Sequence, residues 1–141
     1  IIAVRVKKIF PDPVWKRRYK HVLDFEAMLA EEGTVIIKLF LNISKAEQKK
    51  RLESRLQDPD KLWKFCMDDL DDRNRWDEFQ TAYQDLIEKT STPEAPWYII
   101  PADRKWYRNL VVARLMVEKL RHLQLSLPTP NFDPASIIIP D

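Results

Sequence analysis

The sequence predicts an α/β fold in which strands and helices alternate around a layered sheet. Two apolar segments, residues 34–43 and 97–100, have the composition of strands that are covered on both faces. Each is followed by a segment with the apolar spacing of an amphipathic helix. Because such alternation favours parallel strands covered by helices, we expect a layered α/β sheet. The 141 residues contain only two or three strand-like segments, so we expect the remaining strands to precede Ile1.

The first third of the chain is predicted to form a strand, a long helix and the central strand. Residues 1–6 are short, apolar and β-branched, which is typical of a strand or a strand end. A helix is predicted from Pro13 to about Glu32, with Asp12 as its cap, because proline is favoured in the first helical turn. Gly33 follows where a left-handed helix stop belongs. The predicted apolar stripe of this helix is Trp15, Tyr19, Val22, Phe25 and Leu29.

The rest of the chain is predicted to hold three helices, one strand and an irregular tail. Residues 44–47 have the pattern of a capping box that opens a helix to about Leu56. A long helix is predicted to begin near residues 68–72, whose acidic side chains suit a helix N-terminus, and Asp103 is predicted to cap the last helix. The proline-rich residues 126–141 form the tail, and residues 1–125 the domain. The predicted apolar stripes are Trp76, Phe79, Tyr83 and Leu86 on the long helix, and Trp106, Leu110, Ala113, Val117 and Leu120 on the last one.

Composition excludes several kinds of active site within these residues. Gly33 is the single glycine, whereas a dinucleotide fingerprint needs three glycines and a phosphate loop needs two. The single cysteine, Cys66, excludes an internal disulfide framework and a four-thiolate metal site. His21 and His122 are about a hundred positions apart, which argues against a site with several histidine ligands. We therefore expect neither a complete catalytic apparatus nor a metal site in this chain.

The charge balance bears on partners and compartment. There are 24 lysines and arginines against 22 acidic residues, and a net charge of +2 is too small to imply a nucleic-acid or membrane partner. Any anion site must therefore come from a local cluster of cations. A lone thiol without an export signal favours the reducing cytoplasm. Exposed apolar strand edges in a partial sheet favour self-association, so we expect a homo-oligomer.

Three clusters are candidates for binding an anion. On the helix after the central strand, Lys45, Arg51 and Arg55 would lie near the carboxyl ends of the strands, where open α/β sheets bind ligands. The alternative for this cluster is a solvated basic face with a Glu47–Arg51 surface ion pair. The second cluster combines cations and aromatics between two helices, where its members would clamp a polyanion or would pack a corner. It consists of Lys61, Trp63, Lys64, Phe65, Arg73 and Arg75.

The third cluster, residues 103–108, joins a strand to a helix start and includes Lys105. Backbone N–H groups at such a position bind anions, although a plain helix cap is the commoner role for Asp103. The acidic run at Asp68, Asp69, Asp71 and Asp72 has the ligand type for a divalent ion, but helix-capping acids are far commoner.

Three strings in the sequence are specific enough to indicate a family: ISKAEQ at residues 43–48, WKF at 63–65 and APWYIIPADRKWYRN at 95–109. Together they resemble the C-terminal half of the polyphosphate kinase 2 family. The similarity runs almost continuously from about Ile2 to Leu123. Two positions depart from the family pattern, with Leu23 in place of an Asn and Asn42 in place of a His, so the donor base is left unassigned.

The resemblance implies part of a P-loop, thymidylate-kinase-like three-layer α/β fold, with a helical lid at about residues 44–76. It also implies phosphoryl transfer between inorganic polyphosphate and a nucleotide (ADP, AMP or GDP), with Mg²⁺. In family order the phosphate loop and the catalytic Asp-Arg motif precede Ile1, so the catalytic groups and the Mg²⁺ ligands are expected outside this chain, which alone would be inactive. The residues expected to bind phosphate groups are Arg51, Arg55, Lys61, Lys64, Arg73 and Arg75, with Lys45 and Lys105 as further candidates.

Two alternatives stay open at the level of sequence. One is a non-catalytic α/β module that binds polyanions or serves in assembly. The other is a related nucleotide kinase that uses a different phosphate donor.

Overall fold

The computed structural model describes residues 1–140, in which six helices, two short 3-10 helices and two strands form a small α/β unit. None of the helices in this range combines the length and the apolar content that crossing a bilayer requires. In chain order the elements are α1 (Ile2–Val6), α2 (Asp12–Glu31), β1 (Lys38–Asn42), α3 (Lys45–Gln57), a 3-10 helix (Pro59–Lys64), α4 (Asp68–Asn74), α5 (Trp76–Thr90), β2 (Trp97–Pro101), α6 (Lys105–His122) and a second 3-10 helix (Pro134–Ser136).

The two strands are parallel, as the sequence predicts, and α3, α4 and α5 connect them. Phe40 pairs with Ile99 in the middle of the register. On that face of the sheet the ring of Phe40 lies 4.9 Å from the ring of Tyr83 on α5. β1 is shorter than predicted, because β2 begins at Trp97 and offers residues 34–37 no partner. The structure is thus α/β with a small parallel sheet and mostly helices.

At the amino ends of the strands, a buried lysine joins the sheet to two helices. The ammonium of Lys38 lies 2.7 Å from a carboxylate oxygen of Glu26 on α2 and also donates to the carbonyl of Thr90 at the end of α5. Thr90 itself is fully buried. A buried charge that keeps a paired partner in this way fixes how α2 and α5 sit on the sheet.

The prediction of a strand at residues 1–6 is wrong, because α1 occupies this segment. Val6 is buried at 3% exposure, and the guanidinium of Arg5 lies 2.5 Å from the carboxylate of Asp85 on α5. Lys7 makes a second ion pair, at 2.8 Å, with Asp72 on α4. Since helix propensities differ by only about 0.7 kcal/mol or less per ordinary residue, such tertiary contacts outweigh the β-branched composition.

The long helix α2 matches its prediction except at its first residue. Gly33 follows its end at φ +82°, the left-handed conformation expected of it. Asp12 is not the cap: Pro11 holds the cap position, and Asp12 lies in the first turn, where its carboxylate accepts from the indole N–H of Trp15 at 3.2 Å. Of the predicted stripe, Trp15 and Tyr19 are buried, whereas Phe25 is exposed.

The helix predicted to begin near residues 68–72 is divided at Arg75 into α4 and α5. The amide of Arg75 donates to the carbonyls of both Asp71 and Asp72, at 3.3 and 3.2 Å, which ends α4. Its guanidinium then turns to Glu78 in the first turn of α5. The break separates the acidic run of α4 from the apolar stripe of α5.

Helix α6 covers β2 with a different face from the predicted one. Val111, Val112 and Leu115 are half-buried, whereas Trp106 is 64% exposed and Leu120 is 52% exposed. Both faces of α6 carry apolar side chains, so the spacing alone does not determine which face meets the sheet. Asp103 is not the cap of this helix: Arg104 occupies the cap position without a side-chain hydrogen bond.

Candidate functional site

The carboxyl ends of the two strands meet at one edge of the sheet. Asn42 pairs with Pro101, and just beyond them the amide of Ala102 donates to the carbonyl of Asn42 at 2.8 Å. The loop after β1 leads into α3 and the loop after β2 leads into α6, so both helices begin at this edge. Open α/β sheets bind ligands beyond the carboxyl ends of their strands. This edge is therefore the candidate site.

A cavity of about 460 Å³ opens at this edge, and a second one of about 310 Å³ adjoins it. They share a wall formed by the end of β1 and the first turns of α5. In residues 1–140 the indole N–H of Trp76 and the side-chain amides of Asn42 and Gln80 donate no hydrogen bond to the protein. The shared lining is Asn42, Ile43, Trp76 and Gln80.

Four side chains and one backbone segment form a closed set of contacts at this edge, here called the clamp (Ser44, Glu47, Arg51, Asp103 and the carbonyl of Ala102). The hydroxyl of Ser44 accepts from the amide of Glu47 at 3.1 Å, which is one half of the predicted capping box. The other half is replaced, because the amide of Ser44 donates to the carboxylate of Asp103 at 2.7 Å. Loops that are 59 residues apart in sequence are thereby joined.

Arg51 completes the clamp from the second turn of α3. Its Nε donates to the carboxylate of Glu47 at 2.8 Å. One terminal nitrogen donates to the carbonyl of Ala102 at 2.7 Å and, at 3.4 Å, to that of Asp103. The predicted Glu47–Arg51 pair is present, but Arg51 is only 26% exposed and joins two loops, unlike a solvated surface pair. A role for Arg51 in binding phosphate stays a prediction.

The clamp also sets the charge of Asp103. The hydrogen bond from the Ser44 amide, with the Ser44 hydroxyl and the positive charge of Arg51 nearby, lowers the pKa of the Asp103 carboxyl below its ordinary value. An ionised carboxylate is a stronger acceptor for a backbone N–H at a helix N-terminus than a neutral group is. Asp103 is therefore held in the form that makes this contact.

Two arginines attach the segment at residues 59–75, here called the outer segment, to α3. Arg55 donates to the carbonyl of Lys64 at 3.4 Å and to the carboxylate of Asp69 at 3.3 Å. Arg73 donates to the carbonyl of Lys45 at 2.7 Å and to the side chain of Gln48 at 3.1 Å. Both guanidinium groups thus lie between the outer segment and the helix that starts at the sheet edge.

The ammonium groups of the two lysines of the outer segment contact only their neighbours in sequence. Lys61 forms an ion pair with Asp58, and this hydrogen bond is the main cause that lowers the pKa of the Asp58 carboxyl. The ammonium of Lys64 lies 5.0 Å from the ring centre of Trp63. Trp63 is 79% exposed, so it does not pack a corner between helices, the alternative considered from the sequence. Trp63 and Lys64 together present an aromatic face and a cation to solvent.

Of the remaining predicted residues, Arg75 lies towards α1, whereas Lys45 and Lys105 lie at the sheet edge. Arg75 donates to both carboxylate oxygens of Glu78, at 3.0 and 2.8 Å, and to the carbonyl of Val6, so the structure directs it to α1 and α5. Lys45 and Lys105 are the first residues of α3 and α6, and both are exposed. Within residues 1–140 their ammonium groups form no ion pair, which leaves two cations available at the sheet edge.

Two features of the site were missed by sequence reasoning. The Ser44–Asp103 contact has no local signal, since neither segment shows in its own residues which amide the carboxylate will meet. The parallel pairing of the strands is the signal that would have found it, because it brings both carboxyl ends to one edge. The second feature is the cavity wall: sequence reasoning places Trp76 in an apolar stripe and not in a cleft, and it gives Gln80 no role.

The acidic side chains of the described residues are not arranged to bind a magnesium ion. Among residues 1–140 no three carboxylate, histidine or cysteine side chains are placed to hold a metal ion together. Asp69 and Asp72, which line the smaller cavity, are bound to Arg55 and Lys7 respectively.

Comparison with known proteins gives consistent results. The family model described as Polyphosphate kinase 2 matches residues 1–127. An AMP/ADP-polyphosphate phosphotransferase of Meiothermus ruber is 50% identical over 139 residues, which are 99% of this chain and 52% of that protein. An ADP-polyphosphate phosphotransferase of Rhodopseudomonas palustris is 39% identical over 119 residues, covering 84% of this chain and 41% of that protein.

A solved structure agrees in fold as well as in sequence. The crystal structure of polyphosphate kinase 2 from Arthrobacter aurescens TC1 superposes with a TM-score of 0.90 at 46% identity. The match covers 96% of this chain and 48% of that one. The chain thus spans about half the length of the relatives just described.

Proposed function

The chain belongs to the polyphosphate kinase 2 family, and from this premise we propose that it is part of a phosphotransferase. The reaction is transfer of a phosphoryl group between inorganic polyphosphate and a nucleoside mono- or diphosphate, the substrate classes that the names of its relatives print. The observation that carries the proposal is the convergence of two helix starts, each with an available lysine, at the carboxyl edge of the parallel sheet.

The proposal extends to the fold and to the parts that these residues do not supply. Further parallel strands would pair with the free edge of β1 to give the three-layer, thymidylate-kinase-like fold of a P-loop kinase. The phosphate loop, the Asp-Arg motif and the ligands of Mg²⁺ would come from residues outside the 141 described by this sequence. The single glycine and the poor fit of the acidic residues to a metal support this division.

In this proposal the present residues bind and position the phosphate chain. Phosphoryl transfer depends mostly on positioning and on neutralising charge that is spread over several oxygens. Lys45 and Lys105 provide ammonium groups beside the helix N-termini, where backbone N–H groups also favour anions. The outer segment acts as part of the lid at about residues 44–76, and its closure over substrate excludes water.

The predicted phosphate-binding cations differ in how readily they exchange a protein partner for a phosphate. Arg55 and Asp69 are each 38% exposed and 3.3 Å apart, and such exposed pairs contribute only about 0–1 kcal/mol. Lys61 and Lys64 contact only nearby side chains. Arg51 is the least exchangeable, because its partners include a carboxylate and two backbone carbonyls. We therefore expect Arg55, Lys61 and Lys64 to contact phosphate directly more readily than Arg51 does.

The test is a coupled assay of the full-length gene product with polyphosphate as donor and AMP, ADP or GDP as acceptor. We expect nucleotide phosphorylation that depends on polyphosphate, and none from the isolated 141 residues. ATP offered as the donor to AMP or GDP separates this function from that of a nucleotide kinase with another donor. A folded full-length protein that phosphorylates none of these acceptors from polyphosphate contradicts the proposal.

A matched pair of variants then tests the outer segment. Lys64→Ala is expected to lower polyphosphate-dependent turnover at least tenfold, or about 1.4 kcal/mol of transition-state stabilisation. Lys20→Ala is the control, because Lys20 is an exposed lysine on α2 that pairs only with Asp24. Equal turnover in the two variants would remove Lys64 from the site.

A further inference from the structure

The clamp suggests a role for Asp103, which the sequence had assigned to a helix cap. We infer that Asp103 is a positioning residue for phosphoryl transfer, which fixes the loop after β2 against the start of α3. This inference rests on the proposed function, since it concerns the same sheet edge. It adds a residue whose effect on the reaction passes through the backbone of another loop.

The contacts of Asp103 form a closed circuit between two loops. Its carboxylate accepts from the amide of Ser44 at 2.7 Å, and the hydroxyl of Ser44 accepts from the amide of Glu47. Glu47 accepts from Arg51, and Arg51 donates back to the carbonyls of Ala102 and Asp103. Ala102 is 1% exposed, so the segment to which the circuit returns is embedded in the fold. Each contact thus restricts the next.

The carboxylate of Asp103 also decides what Glu47 does. In a complete capping box the glutamate side chain would accept from the amide of Ser44. The amide of Ser44 already donates to Asp103, so the carboxylate of Glu47 accepts from Nε of Arg51 instead. Without Asp103 the Ser44 amide would be vacant and Glu47 would be drawn back to it. Arg51 would then lose a partner, and its contacts with the loop after β2 would weaken.

The consequence for the reaction lies in the two available lysines. Lys45 directly follows Ser44, and Lys105 lies two residues after Asp103. The Ser44–Asp103 bond therefore fixes the distance between the two helix starts that carry these ammonium groups. A displacement of about 1 Å in the groups that position a substrate can lower the reaction rate by about a hundredfold. Asp103 acts by keeping both cations in place for the same phosphate chain.

The experiment compares five variants of the full-length enzyme. Asp103→Ala removes the acceptor, whereas Asp103→Asn retains an oxygen that accepts the same N–H. Ser44→Pro removes the donor and suits the backbone, since Ser44 has φ −73°. Ser44→Ala keeps the amide and removes only the hydroxyl, so its comparison with Ser44→Pro separates the loss of the amide donor from the loss of the helix cap. Asp133→Ala is the control for losing a carboxylate that accepts a backbone N–H elsewhere, here that of Ala135 in the tail at 3.0 Å.

We expect Asp103→Ala and Ser44→Pro each to lower kcat at least tenfold while KM for polyphosphate changes less than threefold. Asp103→Asn should restore most of kcat, and Asp133→Ala should equal the wild type. Amide hydrogen exchange at Ser44 should be at least tenfold faster in Asp103→Ala than in the wild type or in Asp103→Asn. This exchange rate reports the contact itself and does not depend on activity.

Two results would overturn the inference. One is wild-type kcat in Asp103→Ala or, if that variant does not fold, in Ser44→Pro. The other is an Asp103→Asn enzyme that keeps Ser44 protected from exchange but is as slow as Asp103→Ala, which would mean that the negative charge acts directly on substrate or metal. A wild-type enzyme without polyphosphate-dependent turnover contradicts the proposed function instead, and the exchange rate of Ser44 still decides whether the contact exists.

Discussion

The clamp and the outer segment both carry cations, but different partners hold those cations. In the clamp, Arg51 and Asp103 bind backbone groups of a loop that is distant in sequence. In the outer segment, Lys61 and Lys64 contact side chains no more than three residues away. Arg73 and Arg75 in the same segment do bind backbone carbonyls that are distant in sequence, so only its lysines are held by local contacts. Contacts between distant loops fix geometry before substrate arrives, whereas a side chain with local partners can exchange them for substrate. The proposed function therefore gives positioning to the clamp and substrate contact to the lysines of the outer segment, and the following predictions test this division.

The largest expected effect comes from breaking the clamp at Arg51. Arg51→Ala leaves the carboxylate of Glu47 and the carbonyl of Ala102 without their donor, and a partly buried group without its partner costs about 1–3 kcal/mol. We expect polyphosphate-dependent turnover of the full-length enzyme to fall at least tenfold and the free energy of unfolding to fall by about 1–3 kcal/mol. Turnover assays and urea unfolding measure the two quantities on the same preparation.

Arg55 provides the matched comparison, because it is an arginine one turn further along α3. Its partners are exposed, so Arg55→Ala should change the free energy of unfolding by less than about 1 kcal/mol while turnover still falls about tenfold. The control is Arg17→Ala, at an exposed arginine on α2. If Arg51→Ala and Arg55→Ala lowered stability equally, the distinction between the clamp arginine and the arginine that contacts the outer segment would be wrong.

The difference between the regions also explains which features the sequence predicts. The helix start at Ser44 and the stop at Gly33 follow from patterns within a few residues. The parallel pairing of the strands follows from the alternation of strands and helices along the chain. The contact of Asp103 with Ser44 depends on the register of two strands, so Asp103 was taken for a local cap. Local helix starts and stops were predictable, whereas contacts between the loops required the fold.

The errors in predicting the fold have the same physical origin, namely contacts with elements that are distant in sequence. The β-branched segment of α1 is helical because Arg5 and Lys7 meet carboxylates on α5 and α4. Helix α6 is apolar on more than one face, and its spacing could not show that Val111, and not Trp106, would face the sheet. In both cases two local solutions of similar energy existed, and a distant element decided between them.

A smaller effect is expected from removing the aromatic ring of Trp63 than from removing the charge of Lys64. Trp63→Ala removes the ring beneath the ammonium of Lys64 but leaves the charge, and exposed cation–π contacts contribute about 0.5–1 kcal/mol. We expect KM for polyphosphate to rise about twofold to fivefold, with an unchanged free energy of unfolding because Trp63 is exposed. Initial rates over a range of polyphosphate concentrations measure this. A marked loss of stability would show that Trp63 supports the fold and not the substrate.

The smallest expected effect is a difference in how acid and salt act on the two regions. The pKa values of both Asp103 and Asp58 are lowered in the folded state, so each carboxylate stabilises the fold above its unfolded pKa of about 3.9. That contribution is lost as pH falls through the lower, folded pKa, since the unfolded chain binds the proton first. Asp103→Asn and Asp58→Asn should therefore differ from the wild type in unfolding midpoint at pH 6, and both differences should shrink towards pH 3.

Salt then distinguishes the two carboxylates, because their partners differ in charge. Asp58 pairs with the ammonium of Lys61 at an exposed position, and about 0.5 M salt screens such a pair strongly. Asp103 accepts mainly from a backbone amide, a neutral donor at short range. We expect 0.5 M sodium chloride to remove most of the effect of Asp58→Asn on the midpoint at pH 6 and little of the effect of Asp103→Asn. Equal sensitivity to salt would mean that Arg51, and not the Ser44 amide, is the partner that matters for Asp103, and the clamp would then be an ion pair like those of the outer segment.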